Sequence, residues 1–139
     1  MPDLSRTEGN PLYEIIQRVT SWPSFKGFDI MKVPEIVSTE ITFDLFDFPK
    51  DHPARSGSDS YFVDKDHILR THTTIMWYYY LRDENVKKRM AEGKPVGSFC
   101  FGKVYRKDEI DHHHMNVFHQ IDGWYLAPKD KEKIGIQEL

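Results

Sequence analysis

The stretch KVYRKDEIDHHHMNVFHQIDG, residues 103–123, decides the fold because it joins two segments that have the composition of β-strands. These segments, KPVGSFCFGKVYRK (94–107) and NVFHQIDGWYLAP (116–128), are rich in the aromatic and β-branched residues that favour strands. We predict that they pair as antiparallel strands across a loop at 108–115. The resulting hairpin would present two long faces to the rest of the chain.

The two faces of this hairpin are predicted to differ, because successive side chains of a strand point to opposite sides of its sheet. In the second strand, Phe118, Gln120 and Asp122 share one face. In the first strand, Arg106 shares a face with Gly102. One face therefore carries an arginine, a ring, an amide, a carboxylate and a glycine that leaves room. This face suits a ligand floor, and the other suits packing.

The predicted floor favours a ligand that is anionic and planar. A guanidinium grips a phosphate bidentately, an aromatic ring stacks on a base, and a carboxylate with an amide holds an ammonium group. Each residue alone has a plainer alternative: Arg106 as an exposed strand-end arginine and Phe118 as a core residue. Their combination favours the binding floor.

The histidines of the stretch give little support for a metal centre. His112, His113 and His114 are consecutive, so regular structure cannot aim all three at one ion, and the chain has neither HExxH nor CxxC. We predict no metal site. A polar loop accounts for the first two, whereas His114 could reach back toward a phosphate. His119 lies on the packing face and is interpreted as a structural histidine.

Length and composition indicate one domain and exclude several classes of function. The chain has 139 residues and a net charge of −3, which argues against a nucleic-acid-binding surface over the whole chain. A single cysteine, Cys100, excludes an internal disulfide and any multi-cysteine metal site. Because no 18-residue apolar run and no signal-peptide pattern are found, we expect a cytoplasmic protein without membrane contact.

The N-terminal third is predicted to contain one helix and one strand. Residues 1–9 are polar and expected to be loose. Asn10 and Pro11 are typical of a helix N-cap and first helical position, so a helix is predicted at about 11–21. The segment FDIMKVP predicts a strand at about 28–33, stopped by a proline.

The middle of the chain gives less regular signals. Glu35–Ile41 could form a short helix, and residues 61–63 and 67–72 could form a hairpin. The segment 73–93 is the longest helical candidate, with Thr73 or Thr74 as its cap and Gly93 as its terminator. Three phenylalanines between these elements are expected to be buried: Phe43, Phe46 and Phe48.

Three co-linear stretches resemble class II aminoacyl-tRNA synthetases, in particular phenylalanine–tRNA ligase alpha subunits. Residues 102–123 resemble motif 2, in which a strand ends in Arg-x-Glu/Asp, a loop follows and a second strand opens with an aromatic. FPKDHPARSGSDSYFV (48–63) resembles the family's PxxHPAR…DTFW segment, and ILRTHTT (68–74) its LLRTHTS. Motif 1 would run from Asn10 through GFDIMKVPEI. The resemblance covers about residues 10–126.

The resemblance implies an ATP site on the predicted floor. Arg106 would bind the α-phosphate of ATP and stabilise charge that develops during attack by the amino-acid carboxylate. Asp108 stands where the family has an acidic residue at the adenine amino group, and His114 where its loop histidine meets phosphate. Phe118 would stack on adenine. Mg²⁺ would accompany the phosphates.

The resemblance also implies an amino-acid site beside the nucleotide. Gln120 and Asp122 would face the amino acid, with His72, Thr74 and Phe62 completing its amino and carboxyl contacts. Three of these residues depart from the family: Thr74 replaces a serine, Asp122 a glutamate, and Phe62 stands where tryptophan is usual.

The implied fold class is α+β, a partial class II synthetase core with a mixed, mostly antiparallel sheet flanked by helices. Residues 10–139 would be a truncated catalytic domain that lacks motif 3. The implied function is ATP-dependent activation of phenylalanine to the aminoacyl-adenylate and transfer to tRNA(Phe), incomplete in this chain alone. A beta subunit or another synthetase chain is an expected partner, with dimerisation through motif 1. The alternative is a non-catalytic module that binds ATP, an amino acid or a partner chain.

Overall fold

The computed structural model describes residues 1–57, 59–107, 112 and 116–129. It contains three α-helices and five strands in this part of the chain. In chain order they are α1 (Pro11–Thr20), β1 (Asp29–Met31), β2 (Ile36–Ser38), β3 (His67–Leu69), α2 (Met76–Tyr80), α3 (Glu84–Ala91), β4 (Val96–Tyr105) and β5 (Val117–Leu126). None of the helices within these ranges is long and apolar enough to cross a bilayer.

The hairpin predicted from residues 94–128 is confirmed and forms two of the strands of a three-stranded sheet. The strand order is β1-β4-β5, and β4 pairs antiparallel with β5 along its full length. β1 pairs parallel with β4, from Asp29 opposite Ser98 to Met31 opposite Cys100. β2 and β3 form a separate antiparallel pair. The architecture is therefore α+β with a mixed, mostly antiparallel sheet, as predicted.

Helix α1 begins where the sequence predicts. The side-chain Oδ1 of Asn10 accepts a hydrogen bond from the N–H of Leu12 at 2.9 Å, and Pro11 occupies the first helical position. The cap satisfies one of the free donors of the first turn, and the proline lacks the donor that would go unused there. Ile16 is the buried residue of the helix.

The short helix proposed for Glu35–Ile41 is wrong. Ile36–Ser38 instead forms β2, with Val37 opposite Ile68 of β3, and a single helical turn follows at Glu40–Asp44. Val37 is 2% exposed and belongs to the main core. The strand is favoured over the helix because it directs this β-branched side chain into the core. Burial of such a side chain stabilises the folded state by about 1.5–3 kcal/mol.

The single helix predicted over 73–93 is also wrong, since the chain forms α2 and α3 with a break at Leu81–Asp83. Asp83 has extended backbone angles, and its Oδ1 accepts from the N–H of Val86 at 3.1 Å. A capping aspartate therefore starts a new helix inside the apolar pattern. Gly93 follows α3 with φ 72°, as expected of a terminator.

The hairpin proposed between 61–63 and 67–72 is present in a short form, with backbone hydrogen bonds from Val63 to His67 and from Leu69 to Tyr61. Phe62 forms an isolated antiparallel bridge with Ile68, while β3 itself pairs with β2. The strand after the turn therefore contacts residues 61–63 on one side and β2 on the other. Of the three phenylalanines, Phe43 is 1% exposed, and Phe46 and Phe48 are half-buried against the same core.

Contrary to the loose segment expected from composition, the first nine residues contain a 3-10 helix at Leu4–Arg6. Ser5 is 1% exposed. The N–H of Leu4 donates to Nε2 of His119 at 3.0 Å, on the packing face of β5. Gly9, at φ 83°, then turns the chain into α1. A long-range contact of this kind is not visible in local composition.

Candidate functional site

The register of β4 and β5 places the predicted floor residues on one face. Gln120 lies opposite Gly102, and Asp122 lies opposite Cys100. Phe118 is opposite Val104 in the same alternation. Residues paired directly across an antiparallel ladder share a face, so the grouping predicted from alternation is correct.

Arg106 stands just beyond the end of β4, at one end of the floor. Its N–H donates to the carbonyl of Asn116 at 3.0 Å, which extends the pairing of the two strands by one step. Its Nε donates to the carbonyl of Thr71 at 3.2 Å, and its Cζ lies 5.2 Å from the centroid of the Phe118 ring. The side chain is exposed, and its two Nη atoms have no hydrogen-bond partner within the described residues. They can therefore meet an anion above the ring.

The segment 71–74 forms a wall beside the floor and fixes the two polar side chains of β5. Thr73 and Thr74 both donate their hydroxyls to Oδ2 of Asp122, at 2.8 and 2.9 Å. The N–H of Thr73 donates to Oε1 of Gln120 at 3.0 Å. The Asp122 carboxylate and the Gln120 amide are therefore held in place before any ligand arrives, which lowers the entropic cost of binding.

The sequence did not single out Thr73 as a site residue. It is fully buried and contacts both Gln120 and Asp122. The sequence pattern favours it instead as a helix cap, yet α2 has no side-chain cap and begins three residues later. One feature of the sequence could have indicated this role: Thr73 places a second hydroxyl next to that of Thr74, in a stretch that resembles a family motif.

His72 lies in the wall, next to Thr73 in the chain. Its ring meets the Phe46 ring edge-on, with 5.2 Å between centroids. Burial, followed by the nearby charge of Arg106, lowers the pKa of His72, and Asp122 opposes the shift. Its Nδ1 is buried without a hydrogen-bond partner among the described residues. Both effects of the surroundings that lower the pKa favour the neutral form of the ring.

The other predicted site residues are not brought together in the same way. Phe62 is 39% exposed beside β3, and no ring contact or hydrogen bond joins its side chain to the floor in the part of the chain that the structure describes. Asp108 and His114 lie outside the described residues. Across the described ranges, no group of three or more His, Cys, Asp or Glu side chains is arranged to hold a metal ion.

Arg70 is a second residue that the sequence did not reveal, and it positions the wall. The side chain is 4% exposed; its Nε donates to the carbonyl of Lys103 at 2.7 Å and its Nη1 to that of Val33 at 2.8 Å. Its backbone joins Glu35 on one side and Tyr105 on the other. Arg70 thus ties the end of β4 to the strand that leads into the wall.

Solved structures share this fold. A pyrrolysyl-tRNA synthetase from Desulfitobacterium hafniense matches with a TM-score of 0.63 and 22% sequence identity, over 80% of this chain and 37% of that chain. A second structure of a pyrrolysyl-tRNA synthetase from the same organism has a TM-score of 0.60. The chain therefore has the fold of part of a pyrrolysyl-tRNA synthetase.

Comparison of the sequence with known families identifies the family of this chain. Residues 2–133 match the family described as tRNA synthetases class II core domain (F), and this chain belongs to that family. A mitochondrial phenylalanine–tRNA ligase of Saccharomyces cerevisiae is 38% identical over 120 residues. A phenylalanine–tRNA ligase alpha subunit of Moorella thermoacetica is 35% identical over 129 residues. The predicted resemblance is confirmed.

The chain is much shorter than these relatives. The matches cover 83% and 88% of this chain, but only 24% of the yeast protein and 35% of the bacterial subunit. The chain therefore spans about a quarter to a third of the curated relatives it matches.

Proposed function

We propose that this chain supplies the ATP-binding floor and part of the phenylalanine-binding wall of a phenylalanine–tRNA ligase core. The carrying observation is that the two threonine hydroxyls of the wall hold Asp122 on the same sheet face as Arg106 and Phe118. The reaction class is ATP-dependent formation of phenylalanyl-adenylate, followed by transfer to tRNA(Phe). The domain concerned is predicted to span residues 10–139.

Each group has a defined part in this proposal. The phenylalanine carboxylate attacks the α-phosphorus of ATP, and pyrophosphate leaves. The Arg106 guanidinium stabilises the charge that builds on the α-phosphate oxygens. Phe118 stacks on adenine, so that the phosphate and the ring are held by neighbouring groups. Asp108 and His114 would add contacts from the loop.

The amino-acid ammonium group would be held by Asp122 and Gln120. The carboxylate and the amide oxygen accept from it, while His72 and Thr74 bound the same space, and Phe62, which bridges Ile68 of β3, would complete the amino-acid contacts. His72 stays neutral, so it adds no competing positive charge. Because the carboxylate is already oriented, catalysis in this scheme depends on positioning and electrostatics, without a nucleophilic side chain.

Mg²⁺ is expected in the family reaction, but the described floor does not make a protein-held site for it. Asp122 is the only carboxylate among the floor residues that the structure describes, and two hydroxyls already occupy its Oδ2. A magnesium ion prefers several oxygen ligands in octahedral geometry. The ion would therefore travel with the ATP phosphates.

The partners are also part of the proposal. Motif 1 would give a dimer or a contact with a beta subunit, and the exposed apolar residues Trp22 and Ile30 near β1 support such a face. Transfer to tRNA(Phe) would require the rest of the synthetase. The cytoplasm stays a prediction, since one similar protein is mitochondrial.

The proposal is tested by ATP affinity in an Arg106→Ala variant, measured by isothermal titration calorimetry. We expect a loss of at least about tenfold, since a charge-assisted hydrogen bond is worth about 1.5–3 kcal/mol. The matched control is Arg18→Ala, an exposed arginine on α1. Unchanged ATP affinity in Arg106→Ala, or equal losses in both variants, would contradict the proposal.

Phenylalanine-dependent exchange between ATP and pyrophosphate, measured on the same proteins, distinguishes an activating enzyme from a non-catalytic binding module. Exchange that disappears in Arg106→Ala identifies the chain as an activating enzyme. ATP binding without exchange is expected either of a synthetase fragment or of the non-catalytic module, and the shorter carboxylate of Asp122 favours the module.

A further inference from the structure

A cavity of about 330 Å³ lies where the N-terminal turn, the residues that follow β1 and the strand before the wall meet. It is lined by Asp3, Arg6, Lys32, Val33, Pro34, Glu35, Arg70 and Lys103. Lys103 is opposite His119 in the β4–β5 ladder, on the face away from Gln120 and Asp122. We call this space the basic cavity, and it shares no lining residue with the proposed ATP and amino-acid sites.

The charges of the basic cavity do not balance. Arg6 Nε lies 3.5 Å from Asp3 Oδ2, and Lys103 Nζ lies 3.4 Å from Glu35 Oε1. Arg70 and Lys32 have no carboxylate within 4.0 Å among the described residues, as the ion pairs of that part of the chain include neither of them. The lining is therefore positive, on a chain whose net charge is −3.

The unbalanced charge of Arg70 is almost completely buried. Only neutral carbonyl oxygens accept from its Nε and Nη1, and a Cβ built on Gly102 would lie 2.5 Å from its Nη2 and 3.0 Å from Oδ2 of Asp3. Burying a charge is costly unless a counter-charge is near it. Asp3 is already paired with Arg6, so an anion in the basic cavity would supply the further counter-charge that Arg70 needs.

We propose that the basic cavity binds a small polyanion whose charged groups are phosphates or carboxylates. Arg70 forms the buried end of this site and provides a planar guanidinium, the geometry that both anion types accept. Lys32 is exposed at the rim and carries the other unpaired cation. The two carboxylates of the lining can accept hydrogen bonds from hydroxyl or amino groups of the same ligand.

Pyrophosphate and citrate are the two probes, titrated by calorimetry at low ionic strength, where charge attraction is least screened. Both are titrated into Arg106→Ala, which removes the phosphate-binding group of the floor and makes the result independent of the proposed ATP site. We expect at least one probe to bind, and added Lys32→Glu to weaken it by roughly tenfold or more. Added Lys26→Glu, an exposed lysine outside the cavity, is the matched control and should change little.

The site of binding is read from amide chemical shifts in the same titrations. Shifts at Val33, Glu35 and Arg70 support the proposal, and the probe that binds more tightly identifies the ligand class. Absence of binding by both probes overturns it. Equal weakening by Lys32→Glu and Lys26→Glu, or shifts confined to residues 117–122, overturns it as well.

Discussion

The side chain of Arg70 fills the space that a side chain at position 102 would need. Gly102 has φ 146°, a conformation that side-chain-bearing residues rarely adopt, and an added Cβ would lie 2.5 Å from Arg70 Nη2. The missing side chain thus allows the guanidinium to reach its two carbonyls. The same glycine is opposite Gln120, so the backbone beneath the floor depends on it.

A Gly102→Ala substitution should therefore lower the free energy of unfolding by about 1–3 kcal/mol or more, because strain and a clash add. Urea denaturation measures the loss. Gly57→Ala is the control, since nothing lies within 4 Å of a Cβ built there, and it should change stability by less than about 0.5 kcal/mol. Equal effects of the two substitutions would show that the close approach of Arg70 is unimportant.

At the residue level, the sequence predicts what strand alternation controls. It placed Phe118, Gln120 and Asp122 on one face, because a period of two depends only on neighbouring residues. It did not predict the role of Thr73 or Arg70. Their partners are 33 to 49 positions away, and only the folded chain brings them together.

Four elements meet at one polar cluster behind the sheet. Tyr80 of α2 has its Oη 2.7 Å from Asp29 Oδ2 of β1 and 2.9 Å from the Gly97 carbonyl of β4. Arg89 of α3 donates to the same carboxylate at 2.5 Å. Burial, followed by the hydrogen bond with Asp29, raises the pKa of Tyr80. The hydroxyl therefore stays protonated and joins the two helices to the sheet.

We expect Tyr80→Phe to destabilise the protein by about 1–3 kcal/mol, since a buried acceptor loses its donor. Thermal or urea unfolding provides the measurement. Tyr78→Phe is the control, because the Tyr78 ring packs under Arg82 and its hydroxyl makes no hydrogen bond within the described part of the chain. If neither substitution changed the free energy of unfolding, the hydrogen bonds of Tyr80 would not be what holds α2 and α3 against the sheet.

The same two helices show why element boundaries are harder to predict than element types. Helical periodicity continues through residues 73–93, so the pattern alone predicts one helix. Asp83 is compatible with a helix interior and with a cap, and its role is decided by contacts of Tyr80 and Val86 with the sheet. Tertiary packing of this kind overrides local periodicity.

At the scale of the whole molecule, the site is assembled from segments that lie far apart in the chain. The geometry of the site therefore depends on the stability of the complete fold. His72 is the titratable group at their junction, with Arg106 and Asp122 acting on it. Its pKa is lowered, first by burial. The unfolded chain consequently binds a proton at a higher pH than the native protein does.

The free energy of unfolding should therefore fall as the pH drops below the ordinary histidine value of about 6.5, with a slope of at most about 1.4 kcal/mol per pH unit from this group. Urea unfolding between pH 7.5 and 5 measures the slope. His72→Gln should reduce it, whereas His112→Gln, at an exposed position, should leave it unchanged. An unaltered slope in His72→Gln would contradict the assignment.

The contact between Leu4 and His119 has a consequence for how the protein is made. The two residues are 115 positions apart, and Arg6 also donates to the carbonyl of Phe101 in β4, so the N-terminal turn completes its docking only after both strands have been synthesised. At about 5–20 residues per second, that interval lasts on the order of ten seconds. Until β4 has emerged, Arg6 and Asp3 are open to chaperones and proteases, and the cavity they line forms only after Lys103 has been synthesised.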